Sequence, residues 1–353
     1  MDAIRDRMCA MFLYEKDVDA GVIRSRRFAV LGYGSQGRSQ ALNLRDRGLK
    51  VIVAQRSGSP NHTKALQDGF QPEKIDEAAR KSDFLIMALP DEAMGEIFVD
   101  QIADNLQPGS VLGFLHGFAI RFGVIAPPPD IDVILCAPKG PGPLVREAFA
   151  RGGGLPCMVA VHQDASGQAR ATALAWASAI GGGRAGILET TFAQECEADL
   201  FGEQTVLCGG MIELMKAAFD VLVEAGYPPE VAYFECVHEV KQIVDLQYAQ
   251  GLAGMRARIS NTAAYGGLTR GPRLVTDSVR REMRAILEDI RSGQFAAEWL
   301  AECRADRPRL RQLEQQEAAH ASESAGQVVR AAAKRSINAV LGHPPSASRQ
   351  SQV

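Results

Sequence analysis

Four acidic side chains stand in two pairs of equal spacing. Asp199 precedes Glu203 by four residues, and Glu235 precedes Glu239 by four. Residues four apart share one face of a helix, so each pair sets two like charges side by side, which is mildly destabilising without a compensating cation. The neighbours of both pairs are apolar side chains rather than the lysines that often surround surface acids: Leu200, Phe201, Phe234, Val237 and Val240.

Ligands that are all oxygens suit Mg²⁺, which keeps several waters and leaves positions for substrate oxygens. One pair alone is more simply a solvated helix face. Two pairs in apolar surroundings favour a divalent cation site formed by Asp199, Glu203, Glu235 and Glu239. His238 does not share the acid face, so we expect it to pack or cap rather than to bind a metal.

A glycine-rich loop follows the first apolar run of the chain. The segment Gly32-Tyr33-Gly34-Ser35-Gln36-Gly37 comes directly after Arg27-Phe28-Ala29-Val30-Leu31 and opens a stretch of helical character. In such a loop the first glycine makes the turn, the second lets the backbone approach a pyrophosphate, and the third permits close helix packing. The motif is weak alone, but its context between a strand and a helix predicts a dinucleotide site.

The residues after the second apolar run, Lys50–Ala54, bear on which nicotinamide cofactor fits. An NAD site usually has an acid there, which binds the ribose hydroxyls. Here the chain continues as Gln55-Arg56-Ser57-Gly58-Ser59 and has no acid before Asp68. Arg56 can pair with a 2′-phosphate, and Ser57 and Ser59 can donate to its oxygens. The segment favours NADPH, although an ordinary polar surface loop is the alternative.

The elements that carry these residues change character along the chain. Residues 1–190 contain short apolar runs separated by ten to thirty residues, which indicates parallel strands in a doubly wound α/β sheet. Besides the two runs above, we predict strands at 83–90, 111–116 and 131–137, with Pro127-Pro128-Pro129 as a rigid loop before the last.

Residues 191–342 are predicted to form an all-helical domain. Patterns with a 3.6-residue period cover 207–225, 229–248, 276–292 and 294–302, punctuated at 226–229 and at Gly266-Gly267. The polar, proline-containing residues 343–353 are expected to be disordered.

Composition excludes several classes of protein. With 39 Lys and Arg against 42 Asp and Glu, the chain has no overall basic charge, which disfavours nucleic-acid binding. The seven cysteines are scattered without any C-x-x-C pair, so neither a zinc site nor a disulfide framework is indicated. We find no signal peptide and no apolar run near the ~18 residues that span a bilayer. We therefore expect a cytoplasmic protein with reduced thiols.

The motifs together resemble the ketol-acid reductoisomerase family, in its shorter class with a single helical domain. The resemblance extends from about Met11 to Val329. Besides the glycine loop and both acid pairs, it rests on several blocks: 41–46, His116-Gly117-Phe118, Ala137-Pro138-Lys139, Asp164-Ala165-Ser166-Gly167, Glu189-Thr190-Thr191-Phe192, 199–210 and 224–241.

The resemblance implies a Rossmann-like N-terminal domain, a knotted helical C-terminal domain, and a dimer or higher oligomer whose active site is shared between subunits. Asp199 would bridge two Mg²⁺ ions and Glu203 would complete the shell of one. A partner subunit would contribute Glu235 and Glu239. Other expected site residues are Ser260 at the substrate carboxylate, His116 and Lys139 between nicotinamide and metals, and the cofactor contacts Gly32, Tyr33, Gly34, Ser35, Gln36, Gly37, Arg56, Ser57, Ser59 and Gly142.

The implied reaction converts 2-acetolactate or 2-aceto-2-hydroxybutyrate in branched-chain amino acid biosynthesis. The metals make the substrate hydroxyl easier to ionise and the ketone more electrophilic, so that an alkyl group migrates. The product 2-keto acid then accepts a hydride from NADPH, and Glu203 or Glu239 is expected to move the proton.

The sequence departs from the family's usual residues at several positions. Arg38-Ser39 replaces His-Ala, Pro143-Leu144 replaces His-Thr, Ala198 replaces Thr, Ala264 replaces Glu, and Asn61 replaces Ser. Two other functions therefore remain open on sequence alone. One is a hydroxy-acid dehydrogenase that needs no divalent ion, and the other is an NADPH-binding paralogue with altered or lost catalysis.

Overall fold

The computed structural model describes residues 11–341 and places side chains as far as Ala332. Cys9 lies outside the described residues. So does the segment 343–353, for which the sequence predicts disorder. The chain divides into two compact units between Asp199 and Leu200.

In the described part of the first unit, eight strands form a single sheet in the order β1-β8-β7-β6-β5-β4-β2-β3. The strands are β1 (Phe12–Leu13), β2 (Arg27–Leu31), β3 (Lys50–Ala54), β4 (Phe84–Met87), β5 (Val111–Phe114), β6 (Asp132–Pro138), β7 (Cys157–Gln163) and β8 (Ile187–Glu189).

The sheet confirms the predicted doubly wound α/β class, with one difference. Strands β3, β2, β4, β5 and β6 are parallel throughout, as the apolar runs predicted. Beyond β6 the sheet is mixed, because β7 is antiparallel to β6 and β1 is antiparallel to β8. β7 begins with the apolar run Cys157–Val161, although Val161 and His162 are exposed, and the sequence analysis did not identify it as a strand.

Helices and two apolar clusters cover both faces of the sheet. In one cluster the Trp176 ring meets Phe84 edge to face at 5.4 Å, and in the other Phe114 meets Phe192 at 6.0 Å. The helices up to the division are α1 (Ser35–Asp46), α2 (Pro60–Gln67), α3 (Ile75–Lys81), α4 (Asp91–Ile97), α5 (Phe118–Arg121), α6 (Gly142–Ala150), α7 (Ala169–Ala179), α8 (Gly182–Ala185) and α9 (Phe192–Gly202).

The second unit is all-helical where the structure describes it, which confirms the predicted class. Its helices are α10 (Gly210–Glu224), α11 (Pro229–Tyr233), α12 (Val240–Arg256), α13 (Asn261–Leu274), α14 (Asp277–Ser292), α15 (Gln294–Arg304), α16 (Pro308–Ala318) and α17 (Ala321–Leu341). A small core joins α10, α11 and α17 through Phe219, Ala232, Tyr233, Ala325 and Val329. No helix in residues 11–341 has the length and apolar character needed to cross a bilayer.

Two helical details differ from the sequence prediction. Gly266-Gly267, expected to separate helices, lies inside α13. The helix expected over 229–248 is interrupted by a π-helical turn at Phe234–His238, and a second π turn covers Glu203–Leu207. A π turn inserts one extra residue per turn and is frequent at functional sites. Glu203 is the first residue of one π turn, and Glu235 lies within the other. The Glu235–Glu239 pair is therefore not spaced as on a regular α-helix.

Candidate active site

The carboxyl ends of three neighbouring parallel strands supply the first part of the site. Asp91 opens α4 shortly after β4, His116 follows β5 by two residues, and Lys139 directly follows β6. Ligands of doubly wound sheets bind at this edge, because the strand ends and the helix N-termini after them meet there.

Lys139 sits between two carboxylates of α9. Its Nζ lies 2.8 Å from Glu195 Oε1 and 3.0 Å from Asp199 Oδ1. The Glu195 side chain is only 1% exposed, and its second oxygen accepts a hydrogen bond from Gly117 N at 3.1 Å. Burial opposes the charge on Lys139, but the two carboxylates outweigh it and raise the pKa of the lysine.

His116 lies between two further carboxylates. Its Nδ1 is 3.6 Å from Asp91 Oδ2, and its Nε2 is 3.7 Å from Asp199 Oδ2. Burial works against the imidazolium, whereas hydrogen bonds to Asp91 and Cys196 favour it, and together these effects raise the pKa of His116 to about 11. Asp199 thus faces a cation on each of its oxygens.

The structure adds three residues that the sequence analysis did not single out: Glu195, Asp91 and Cys196. A signal for Glu195 was present, because Glu195, Asp199 and Glu203 form one series with a spacing of four. The sequence analysis considered the acids only in pairs and therefore missed Glu195. Asp91 and Cys196 carry no such signal, since only the fold brings them to His116.

The glycine loop has the geometry that its spacing predicted. Gly32 has φ +100°, and a Cβ there would lie 2.3 Å from Ala88 O. A Cβ on Gly37 would lie 2.2 Å from Gly32 O, whereas Gly34 faces open space. Gly34 precedes the first residue of α1, so the first N–H groups of this helix have no acceptor within the helix. This arrangement can bind a pyrophosphate.

The start of α6 packs against this loop. Gln36 Nε2 donates to Gly140 O at 2.9 Å, and Ser39 Oγ donates to Gly142 O at 2.5 Å. A Cβ on Gly142 would lie 2.1 Å from Ser35 O. Gly142 therefore supports the loop by close backbone packing. The hydrogen bond from Ser39 gives one of the unusual residues a structural role.

The segment after β3 is only partly as expected. Arg56 and Ser57 are exposed and available to a ligand. The Ser59 hydroxyl, expected to donate to a phosphate, instead donates to Arg56 O at 2.8 Å and accepts from His62 N at 3.1 Å, which caps α2. Because a hydroxyl has a single proton, Ser59 in this arrangement has none left for a phosphate.

Asp68, the first acid after β3, is already engaged. It accepts two hydrogen bonds from Arg38, at 2.6 and 2.9 Å, and one from Tyr33 Oη at 3.0 Å. The bond from Arg38 holds the pKa of Asp68 below its usual value despite partial burial. The unusual Arg38 thus pairs with the first acid after β3. The structure offers no explanation for Ala198 or Ala264.

In the second unit, Glu235 and Glu239 line one exposed cavity of about 450 Å³ together with Met211, Val240, Ile243 and Val244. Both glutamates are exposed, as is Glu203 at the start of its π turn. Ser260 is the N-cap of α13, where its hydroxyl accepts from Ala263 N at 3.1 Å. Its hydroxyl proton is not used in that bond.

The donor chemistry fits magnesium. The four acids offer only carboxylate oxygens, and Asp199 already attracts two cationic side chains. Within residues 11–332, however, one chain brings no three His, Cys, Asp or Glu side chains together as a metal-binding group. The six described cysteines are free thiols.

Comparison with known proteins agrees with this arrangement. Residues 22–186 match the family described as acetohydroxy acid isomeroreductase, NADPH-binding domain, and residues 192–335 match ketol-acid reductoisomerase, C-terminal domain. A solved structure of an NADH-preferring ketol-acid reductoisomerase from an uncultured archean is 46% identical. It has a TM-score of 0.88 over 90% of this chain and 98% of that one.

More distant structures share only the fold. A semialdehyde dehydrogenase NAD-binding protein from Cupriavidus necator is 22% identical with a TM-score of 0.58, covering 76% of this chain and 99% of that one. A pyrroline-5-carboxylate reductase from Coxiella burnetii is 12% identical with a TM-score of 0.51, covering 75% and 97%. Both domain matches and the 46% identical relative show that the chain belongs to the ketol-acid reductoisomerase family, a family of oxidoreductases of branched-chain amino acid biosynthesis.

Proposed function

We propose that this ketol-acid reductoisomerase uses NADPH and Mg²⁺ to convert 2-acetolactate or 2-aceto-2-hydroxybutyrate into the 2,3-dihydroxy acid, at a site completed by a second copy of the chain. The observation that carries the proposal is the cluster of Lys139, Glu195, Asp199 and His116 at the carboxyl edge of the sheet.

Asp199 and Glu203, with Glu235 and Glu239 of a partner subunit, would hold the metal. Bound Mg²⁺ supplies positive charge that eases ionisation of the substrate hydroxyl and makes its ketone more electrophilic. Lys139 contacts both Glu195 and Asp199 and holds the two carboxylates in position. Ser260, with an unused hydroxyl proton, donates to the substrate carboxylate.

His116 and Lys139 lie where the nicotinamide and the substrate meet. Two held cations near the reacting oxygens stabilise the negative charge that develops as the alkyl group migrates and as hydride arrives. Glu203 or Glu239 moves the proton between the substrate oxygens and water. Glu195, at 1% exposure, lies out of contact with bulk water beneath Lys139.

The preference for NADPH rests on the segment after β3. It offers the exposed Arg56 and Ser57 to a 2′-phosphate, and the acid at Asp68 is taken by Arg38 and Tyr33. The 46% identical archaeal relative is described as NADH-preferring, so the preference has to be measured for this chain.

A second copy of the chain is supported by the apolar surface of the helical unit. In the single chain Tyr248, Leu252 and Tyr265 are 85%, 69% and 67% exposed, and α13 contains no buried residue. Large exposed apolar side chains on two consecutive helices, α12 and α13, are typical of an interaction surface. A location in the cytoplasm stays a prediction from the sequence.

The test is a steady-state assay of cofactor oxidation with purified protein. We expect turnover of 2-acetolactate with NADPH and Mg²⁺, a lower kcat/KM with NADH, and loss of turnover in excess EDTA. Asp199→Asn should abolish turnover, whereas Asp245→Asn, which removes an exposed acid of α12 that pairs with Lys241, should not. Turnover that persists in EDTA would contradict the metal-dependent mechanism.

A further inference from the structure

Gln55, the first residue after β3, joins two loops of the nucleotide site. Its Oε1 accepts a hydrogen bond from Tyr33 N in the glycine loop at 2.8 Å, and its Nε2 donates to Ser59 Oγ at 3.1 Å. The side-chain orientation follows from these partners, since an N–H must face the amide oxygen. One carboxamide therefore connects the pyrophosphate loop to the segment that carries Arg56 and Ser57.

The bond to Ser59 completes a closed set of interactions. The Ser59 hydroxyl donates to Arg56 O at 2.8 Å and accepts from His62 N and from Gln55 Nε2, both at 3.1 Å. Its one donor and two acceptor positions are thus all used. Hydrogen bonds fix both ends of the turn from Arg56 to Ser59. Arg56 and Ser57 therefore lie on an ordered loop.

Gln55 also occupies the position at which the charge of the side chain influences the choice between NAD and NADP in this fold. In NAD sites an acid at the end of the second strand of the dinucleotide fold accepts hydrogen bonds from the ribose hydroxyls and repels a 2′-phosphate. Glutamine has the same length as glutamate but no charge. Its amide oxygen is already used by Tyr33 N, so it neither repels a phosphate nor competes for Arg56.

We propose that Gln55 is the positioning residue for cofactor choice, because it fixes the Arg56–Ser59 turn to the glycine loop and keeps this position neutral. The inference rests on the proposed function in one respect, namely that the adenosine ribose lies at the end of β3. Gln55 acts through Arg56 and Ser57 and does not need to touch the 2′-phosphate.

Two substitutions separate the two parts of this role. In Gln55→Glu the bond from Tyr33 N is kept, but a carboxylate oxygen then faces Ser59 Oγ. Ser59 must turn its proton away from Arg56 O, and a negative charge now stands near the 2′-substituent. In Gln55→Leu both bonds are lost without any new charge, so the loop is loosened and no phosphate is repelled.

The experiment measures kcat and KM for NADPH and NADH with 2-acetolactate and Mg²⁺ in the wild type, Q55E, Q55L and the control Q67E. Gln67 is exposed at the end of α2, so Q67E adds the same charge to the same segment away from the loop. The affinities for adenosine 2′,5′-bisphosphate and for ADP are measured by calorimetry without metal or substrate.

We expect Q55E to lower the ratio of kcat/KM for NADPH to that for NADH by about tenfold or more, and Q55L by about threefold, mainly through the KM for NADPH. Q67E should leave the ratio within about twofold of the wild type. In calorimetry Q55E should weaken binding of the bisphosphate and leave ADP binding nearly unchanged.

A purely structural role predicts a different pattern, in which both cofactors and both nucleotides lose affinity alike. That result, or an unchanged ratio in Q55E, would overturn the proposal. If Q55E does not fold, the ratio in Q55L decides. A wild type that prefers NADH would contradict the proposed cofactor, but the direction in which Q55E moves the ratio would still test Gln55.

Discussion

Lys139 Nζ lies 3.0 Å from Asp199 Oδ1 while it also contacts the buried Glu195 at 2.8 Å. One ammonium group thus bridges two carboxylates that stand four residues apart on α9. The pair is held in turn by Gly117 N, which donates to Glu195. The position of Asp199, the acid on which the proposed metal site depends, is therefore set by residues from two strand ends.

Replacing Glu195 tests this arrangement. Glu195→Gln keeps the size of the side chain but removes the charge that fixes Lys139, so we expect kcat to fall by about tenfold or more. Glu197→Gln is the matched control, since it removes an acid on the same helix that pairs with Arg121. Equal kcat values for the two variants in the reductoisomerase assay would argue against a role for Glu195.

Glycine substitutions should separate packing from cofactor binding. A Cβ on Gly142 meets Ser35 O at 2.1 Å, and backbone on both sides cannot move cheaply, so we expect Gly142→Ala to destabilise the fold by about 1–3 kcal/mol. Gly34 has φ −73°, and a Cβ there would face open space, so Gly34→Ala should leave the free energy of unfolding nearly unchanged. The variant should instead raise the KM for the cofactor, because the pyrophosphate is expected to approach the backbone at Gly34. Urea unfolding and steady-state kinetics measure both effects.

Because of Asp68, the free energy of unfolding should depend on pH in the acid range. Its pKa is lowered in the folded chain by the hydrogen bond from Arg38, so the unfolded chain takes up a proton first as the pH falls. The stabilisation is therefore complete above the unfolded pKa of roughly 3.9 and is lost as the pH falls through the lower folded value.

Asp68→Asn removes this dependence. We expect the variant to be less stable at neutral pH by about 1 kcal/mol, with a gap to the wild type that narrows below about pH 4. Urea unfolding at several pH values measures the gap, and Asp104→Asn at an exposed position is the control. A gap that widens in acid would have the wrong sign for this account.

Arg56 should discriminate between the two nicotinamide cofactors. Its guanidinium is exposed beside the proposed 2′-phosphate position, and a charge-assisted hydrogen bond contributes roughly 1.5–3 kcal/mol. Arg56→Ala should therefore raise the KM for NADPH by about tenfold or more and change that for NADH little. Lys64→Ala, on the exposed side of α2, serves as the control for loss of a nearby positive charge. Parallel changes in both KM values would exclude a contact to the 2′-phosphate.

The sequence predicted those parts of the site that local patterns encode. The glycine loop was predictable because the positive φ of Gly32 and the close approach of Gly37 to Gly32 O are set by the strand, turn and helix around them. The helical class of the second unit followed from its 3.6-residue periods. The strand β7 was missed although it begins with the apolar run Cys157–Val161, and its antiparallel direction depends on its pairing with β6, which no local pattern encodes.

Other features depend on contacts between distant residues. Lys139 and Glu195 are 56 residues apart, and only the sheet topology brings them together. The Ser59 hydroxyl could not be known to be occupied, because its partners are set by the turn geometry. The π turns at Glu203 and Phe234 also have no signature in side-chain periodicity.

The sharing of acids between subunits is tested most directly by complementation. Asp199→Asn and Glu239→Gln chains, each inactive alone, are coexpressed with different tags, and the mixed oligomers are assayed with 2-acetolactate, NADPH and Mg²⁺. If Glu239 serves the partner's site, a mixed dimer regains one intact site of two, and random assembly restores about one quarter of wild-type activity. Activity that stays at the level of the single variants would mean that all four acids come from one chain, and would contradict the shared site.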